Sequence, residues 1–260
     1  MATVLAEAFG DSGDARGDWR QLLVREVESG RASRSLSPVA FEGERVVGAC
    51  LVNVGPSGLA RVGPTGVIVS ARGTGVGRAL VETAVSGLES VGARRVTLEV
   101  AKDNERAQRL YQSVGFARGR GLRVLLGRRA SLSPPRAASA QRIRREIGLQ
   151  AAQALHPEVP AFQRRAFYIE SFDAGVLSYG VYGTEGELVG VLLQRGRDLL
   201  DIAVSPPEPD VVAALVWAAS DVSWVQRVIN VTSDDPVGRV LVEIGFEVES
   251  EAWEMVRESA

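Results

Sequence analysis

Arg72 to Gly77 is the stretch of this sequence whose residue types and spacing are best suited to chemistry. In TGVIVSARGTGVGRALVETA an extended run gives way to Gly73, Gly75 and Gly77, and then to an amphipathic helix. Lacking Cβ atoms, these positions let the backbone bend with positive φ and approach a ligand, while unpaired amides at the helix start point outward. Those amides and the helix dipole favour negative charge, and Arg72 adds a charge-assisted contact. Arg72, Gly73, Thr74, Gly75, Val76 and Gly77 therefore read as a cradle for a pyrophosphate. A glycine-rich turn between strand and helix also occurs in dinucleotide-binding folds. Against that fold, the glycine spacing differs, the loop follows a hairpin, and no acidic residue closes a second parallel strand about 20 residues later. A plain tight turn is the simpler alternative, but turning requires neither the arginine nor three glycines.

Other reactive residue types are sparse. Cys50, the single cysteine, lies in the apolar run VVGACLVNV and reads as a buried small hydrophobe. Alone it allows no internal disulfide and no multi-thiolate metal site, and no metal is expected. His156, the only histidine, stands beside Pro157 and reads as an exposed, non-catalytic loop residue.

The elements that must hold the loop follow from periodicity. The opening LAEAFGDSGDARGDWRQLLVREVESG reads as two short helices around a Gly/Asp-rich break. In SPVAFEGERVVGACLVNVG, Glu42-Gly43-Glu44 separates two β-branched runs, a hairpin pattern. A third strand near Ala60 to Val67 leads to the loop and its helix. The strand ARRVTLEVA, a helix from about Asn104 to Val114, and closing strands around Phe116 and Leu122 to Leu126 complete the half. In the ARRVTLEVA strand, alternation sets Thr97, Glu99 and Ala101 on one face and Val96, Leu98 and Val100 on the other.

RRASLSPPRAASAQ is small, basic and proline-containing, and reads as a linker over 129–140 between domains at 1–128 and 141–260. Beyond it come a strand RIRREI and helices from about Gly148 to Ala166, and then the first half's order recurs. GTEGELVGVLL echoes FEGERVVGACL, DIAVSPPEPDVVAALVWAA takes the place of the loop and helix, and VINVTSDDPVGRVLVEIGF that of VTLEVAKDNERAQRLYQSVGF. A repeat this long implies a duplicated domain. The second copy is degraded. Pro207, Glu208, Asp210 and Val212 stand opposite Arg72, Gly73, Gly75 and Gly77, and Leu241 and Asp234 opposite Tyr111 and Asn104. A lost amide, two acids and a side chain all oppose phosphate binding. The second copy is expected to bind no cofactor and to brace the first.

The loop R-G-T-G-V-G, followed some 30 residues on by N-E-R-A-Q-R-L-Y-Q-S-V-G-F, resembles the GNAT-type N-acetyltransferase family, whose members pair an R/Q-x-x-G-x-G/A loop with an N-x-x-A-x-x-L-Y-x-x-x-G-F helix. The resemblance covers residues 1 to 128 well. It implies a tandem α/β (α+β) fold of two GNAT-like domains, each a mixed, mostly antiparallel sheet flanked by helices. Family members usually begin with a strand before the first helix, whereas this sequence reads as starting directly in the helix; that strand is absent, supplied by another segment, or lost to a misplaced start. The resemblance further implies that the backbone of Thr65, Gly66 and Val67 pairs with the pantetheine arm of acetyl-coenzyme A, that Arg72 through Gly77 take the pyrophosphate, and that Asn104 hydrogen-bonds the arm. Tyr111 would protonate the departing thiolate; its plain alternative is a packed aromatic. Glu99 is similar in spacing to the glutamate that removes the amine proton in ribosomal-protein N-terminal acetyltransferases. A solvated strand residue or a partner for Arg94 are its alternatives. The implied activity is direct attack of an amine on the thioester, with no covalent enzyme intermediate. The acceptor would be a small-molecule amine or a peptide N-terminus. A non-catalytic acyl-coenzyme A sensor is the rival.

Composition bounds the remaining classes. The chain has 260 residues, 45% hydrophobic and 24% charged, as in a soluble globular protein. Thirty Lys plus Arg against 32 Asp plus Glu gives a formal net charge of -2, so no nucleic-acid partner is expected. MATVLAEAF carries no basic leader, and no run of about 18 apolar residues follows, so a cytoplasmic protein without a membrane partner is expected. The resemblance leaves room for a homodimer.

Overall fold

The computed structural model describes residues 2–9, 26–172 and 175–259. They form two compact units: Met1–Gly119 together with Trp253–Ala260, and Arg120–Ala252. The expected linker at 129–140 lies within the second unit.

The first unit opens with helix α1 (Ala2–Phe9). The second helix expected before Gly30 falls mostly outside the described residues. Strands β1 (Val39–Glu42) and β2 (Arg45–Val54) form the expected hairpin, with Glu42 opposite Arg45 and Gly43 at φ 59° in the two-residue turn. β2 is buried from Val47 to Asn53, a strand covered on both faces, which accounts for its unbroken apolar run. β3 (Leu59–Val67) lies antiparallel to β2, and β4 (Arg95–Ala101) parallel to β3.

Helix α2 (Val76–Ser90) buries Leu80, Val81, Ala84, Val85 and Leu88, a stripe at helical spacing. Helix α3 (Glu105–Ser113) starts at Asn104, whose side chain accepts a hydrogen bond from the Ala107 amide at 3.1 Å. The two helices cover the sheet face that carries Val52, Val62, Val96, Leu98 and Val100.

The closing strands differ from expectation. One continuous strand, β5 (Ala117–Arg128), replaces two, and its Leu122–Arg128 portion pairs with a strand of the second half. The first unit receives instead the end of β11 (Glu247–Glu258), next to β4: the Ser259 amide donates to the Arg94 carbonyl at 2.8 Å, and fully buried Met255 joins the first core. Leu125 packs reciprocally into the second core. Two similar halves offer equivalent partners for a closing strand, so local pattern does not decide between them.

The second unit contains β6 (Gln141–Ile143), α4 (Arg145–Leu155), α5 (Ala166–Glu170), β7 (Leu177–Tyr182), β8 (Leu188–Arg195), β9 (Asp198–Val204), α6 (Pro209–Ala219), β10 (Val225–Thr232) and α7 (Pro236–Glu243). Its strands run in the order β5-β10-β9-β8-β7-β6, antiparallel except for β9 beside β10. Each unit is thus a mixed, mostly antiparallel sheet flanked by helices. The Asp210 carboxylate, in the first turn of α6, accepts hydrogen bonds from the amides of Arg136, Ala137 (2.9 Å) and Ala138 (2.6 Å), which fastens the proline-containing segment.

Candidate functional site

Strands β3 and β4 pair only at Leu59–Arg95, Ala60–Val96 and Arg61–Thr97; beyond these residues they part. On the other edge of β3, the pairing with β2 shifts between Val52–Val62 and Cys50–Thr65, three steps on β3 against two on β2. The extra residue falls in Gly63-Pro64. A bulge there reverses the alternation of faces, so Arg61 sits beside Asn53 on one face while Thr65 sits beside Cys50 on the other. Thr65, Gly66 and Val67 pair with Cys50, Ala49 and Gly48, and their second edge borders the gap.

The glycine loop closes one end of this arrangement. Gly73 and Gly75 adopt φ 86° and 92°, conformations that L side chains rarely take, although neither has a neighbour within 4 Å of where a Cβ would stand. Gly77 is different. It is helical, and a Cβ there would meet Leu110 Cδ1 at 3.3 Å, so its glycine serves the approach of α2 to α3 rather than a positive φ. Gly75, at the N-cap of α2, has no side chain with which to cap the amides of the first turn. The Thr74 hydroxyl donates to the Ala71 carbonyl at 2.8 Å and braces the turn, while Val76 opens the helix. Arg72 Nε donates to Val67 O and its Nη2 to Ala8 O, both at 3.1 Å. The guanidinium thus ties the loop base to α1.

Tyr111 approaches the gap from α3. It is 9% exposed and packs edge-to-face on Phe116 at 6.1 Å. Burial pushes its phenol up to about 12, reinforced by Cys50 and Glu99 and opposed by Thr65 and Arg61. The same residues surround Cys50, whose buried thiol is raised to about 11 by desolvation and accepts a hydrogen bond from Thr65 Oγ1 at 3.2 Å. The reading of Cys50 as a buried apolar residue agrees with this environment.

Glu99 comes to the gap from β4, and its partner is Arg61. Arg61 Nε donates to both carboxylate oxygens, at 3.1 and 2.9 Å, and Nη2 donates to Oε2 at 2.6 Å. Arg94, the partner weighed from sequence, instead donates to Ser57 O at 3.4 Å. The structure therefore brings Thr65 and Tyr111 together, pairs Glu99 with Arg61, sets the 72–77 loop at the start of α2, and leaves Asn104 exposed at the cap of α3.

Sequence reasoning missed Arg61 and Asn53. A usable signal existed: Arg61 is the one charged residue of β3, and Glu99 the one charged residue inside β4. A separate cleft of about 340 Å³ borders Gln108, Arg109, Arg118 and Trp253 on the other flank of α3; it includes no loop residue and is not part of the gap.

The second unit repeats the gap and fills it. β9 and β10 pair only at Asp198–Arg227 and Leu199–Val228. The short turn Phe162–Arg164 packs against both strands, with Phe162 1% and Arg164 2% exposed. Arg164 Nη2 lies 2.9 Å from Asp201 Oδ1 and donates to Ile202 O at 3.2 Å, while its Nη1 lies 3.3 Å from Asp235 Oδ2. On β10, Asn230 donates to Gln163 Oε1 at 2.9 Å. His156 is a correction: its side chain is only 10% exposed, and Nε2 lies 2.8 Å from Asp201 Oδ2. Burial of Asp201 works against its charged form, yet Arg164 and His156 hold its carboxyl below the usual range. The expected run of helices to Ala166 is also interrupted, since α4 ends at Leu155 before this turn. Among the described residues no cluster of His, Cys, Asp and Glu could hold a metal, and no helix is long and apolar enough to cross a membrane.

Residues 5–116 match the model of the acetyltransferase (GNAT) family. Over 121 residues the chain is 33% identical to a mycothiol acetyltransferase of Geodermatophilus obscurus; the match covers 44% of this chain and 39% of that protein, so the chain spans well under half the length of this relative. A GCN5-related N-acetyltransferase structure from Sphaerobacter thermophilus superposes with a TM-score of 0.73 at 16% identity, over 99% of this chain and 91% of that one. A tandem GNAT protein from the clavulanic acid biosynthesis pathway gives 0.66 at 17% identity, over 98% and 93%. At these identities the two structures speak for the fold, including its tandem form.

Proposed function

Residues 5–116 form a domain of the acetyltransferase (GNAT) family, and from that premise we propose that the chain moves an acetyl group from acetyl-coenzyme A to a primary amine by direct attack. One observation carries the reading: a positive-φ glycine loop at a helix start lies in the same unit as a gap between parallel strands, with Tyr111 on the helix beside it and Glu99 on one of its strands. The residues fit the donor. The Thr65–Val67 edge suits an amide-bearing arm, and the uncapped amides at 75–77, with open space beside Gly73 and Gly75, suit a pyrophosphate. When bound, the donor supplies the acetyl group as a thioester.

In this reading Asn104, whose Oδ1 caps α3, presents its Nδ2 to the arm. Arg72 fixes the loop through Val67 and α1 and adds positive charge near the phosphates. Tyr111, its phenol pushed up to about 12, keeps its proton through the neutral range and holds it at Oη for the leaving sulfur. Glu99 takes a proton from the acceptor's ammonium, directly or through water, because only the neutral amine can attack. Holding both reactants in one gap supplies much of the rate gain. The second unit, with its gap filled and its loop replaced by Pro207, Glu208 and Asp210, binds no donor.

A non-catalytic acyl-coenzyme A sensor is favoured by one observation, that both Glu99 oxygens already accept from Arg61. Titration with acetyl-coenzyme A, followed by thiol release across a panel of small amines, amino acids and peptides, separates the readings. Release stimulated by an amine supports the transferase. Saturable binding without release across the panel supports the sensor, and absence of binding removes both.

A further inference from the structure

We propose that Arg61 and Asn53 are positioning residues for acyl transfer, which hold Glu99 at the gap and link it to the Glu26–Arg31 segment. The proposal rests on the reading of Glu99 as the proton acceptor. A glutamate side chain has three rotatable bonds, and a carboxylate that must meet an incoming amine gains from having its rotamer chosen in advance.

The arrangement is built in successive layers. Arg61 and Glu99, with side chains 11% and 10% exposed, meet through the planar edge of the guanidinium, which fixes orientation as well as distance. Arg61 is itself held, because its Nη1 donates to Asn53 Oδ1 at 3.0 Å. Asn53 is 1% exposed, and its Nδ2 donates to the Arg31 carbonyl at 2.7 Å. Arg31 is in turn paired with Glu26 at 2.8 Å, and the Ala32 amide donates to the Glu26 carbonyl at the same distance. A continuous hydrogen-bonded path thus runs from Glu26 to Glu99.

The backbone makes room for it. A Cβ at Gly63 would stand 3.0 Å from Arg61 Nη1 and 3.1 Å from Leu51 O, so glycine at the bulge lets the guanidinium lie where it does. Arg61 also belongs to the last paired rung of β3 and β4, opposite Thr97, where the sheet stops holding the strands together. A buried ion pair is seldom the most stable way to fill a core, since desolvation offsets much of the attraction. Placing one at the lip of the gap, fixed from behind by a buried amide, serves orientation better than stability.

The test is a double-mutant cycle on the full chain, using the panel amine that gives the fastest thiol release. Glu99→Gln is expected to lower kcat about 100-fold. Arg61→Met should lower it about 30-fold, with the dissociation constant for acetyl-coenzyme A within about twofold, and Arg61→Lys should restore part of the loss. The double variant should be no slower than Glu99→Gln alone, because a residue that acts through Glu99 has nothing left to position. Gly63→Ala, which removes no charge, should lower kcat several-fold by crowding the guanidinium, and it keeps the test sharp if Arg61→Met folds poorly. Losses that multiply in the double variant, or full kcat in both Arg61→Met and Gly63→Ala, overturn the proposal. A wild-type chain that binds acetyl-coenzyme A but releases no thiol with any amine overturns the function reading first and this proposal with it, a result recognisable before any variant is made.

Discussion

In the first unit β3 and β4 diverge after three paired rungs, and beside the gap stand an uncapped helix start, a glycine loop, Tyr111 and Glu99. In the second, β9 and β10 diverge after two, and the chain's own Phe162–Arg164 turn enters, with Arg164 bonded to a buried carboxylate and to the Ile202 carbonyl. Two parallel strands that part expose backbone groups and apolar lining, and each must be satisfied. In the proposed function the first unit leaves that work to a ligand, whereas the second does it internally. The loops diverge accordingly: the first has Gly75 at the helix cap, whereas the second has Glu208 there and, in the first turn, Asp210, whose carboxylate grips the amides of Arg136, Ala137 and Ala138. A repeated scaffold can thus keep its topology while an open gap in one copy becomes an internally filled one in the other.

The largest effect is expected from removing the brace. Arg164→Ala leaves Asp201 buried without its cation and should destabilise the second unit by about 3–5 kcal/mol; denaturant unfolding that matches the wild type would show that the turn is passive filling. Next comes the loop. Gly75→Glu imposes a side chain at φ 92° and a negative charge at the helix start, and should weaken acetyl-coenzyme A binding at least about 100-fold by calorimetry; unchanged affinity would remove the phosphate assignment. Tyr111→Phe should lower kcat about tenfold and leave the dissociation constant intact, and equal losses in both would return Tyr111 to a packing role. Calorimetry of the wild type should show one acetyl-coenzyme A per chain, and a second site of similar affinity would mean that the turn yields.

The smallest effect is one of pH. The folded-state pKa of Asp201 lies below its unfolded value, so its contribution to stability is present above about pH 4 and fades as pH falls through the folded value. Asp201→Asn should therefore flatten the acid limb of the stability curve while leaving the donor affinity of the first unit unchanged.

What the sequence disclosed followed from how local each feature is. The 72–77 loop, the α2 stripe and the β1–β2 turn are each specified within about a dozen residues, and each was legible. Arg61 and Glu99 are 38 positions apart and meet across two strands whose register depends on a bulge at Gly63-Pro64, so neither residue announces the other. In sequence Gly77 looks like its positive-φ neighbours because the pattern R-G-T-G-V-G does not distinguish a turn from a close helix contact; only the position of Leu110 does. The Phe162–Arg164 turn lay hidden in what read as helix, and His156 beside Pro157 read as exposed because its partner Asp201 lies 45 positions away.

The return of Trp253–Ala260 to the first unit sets an order of assembly. A growing polypeptide that has emerged through residue 252 already carries the glycine loop, Tyr111, Glu99 and Arg61, yet still lacks Met255, which is fully buried in the core beneath them. The unit begun first is thus completed by a segment that follows the whole of the second: without Trp253–Ala260 the reactive groups are present but the core beneath them is unclosed.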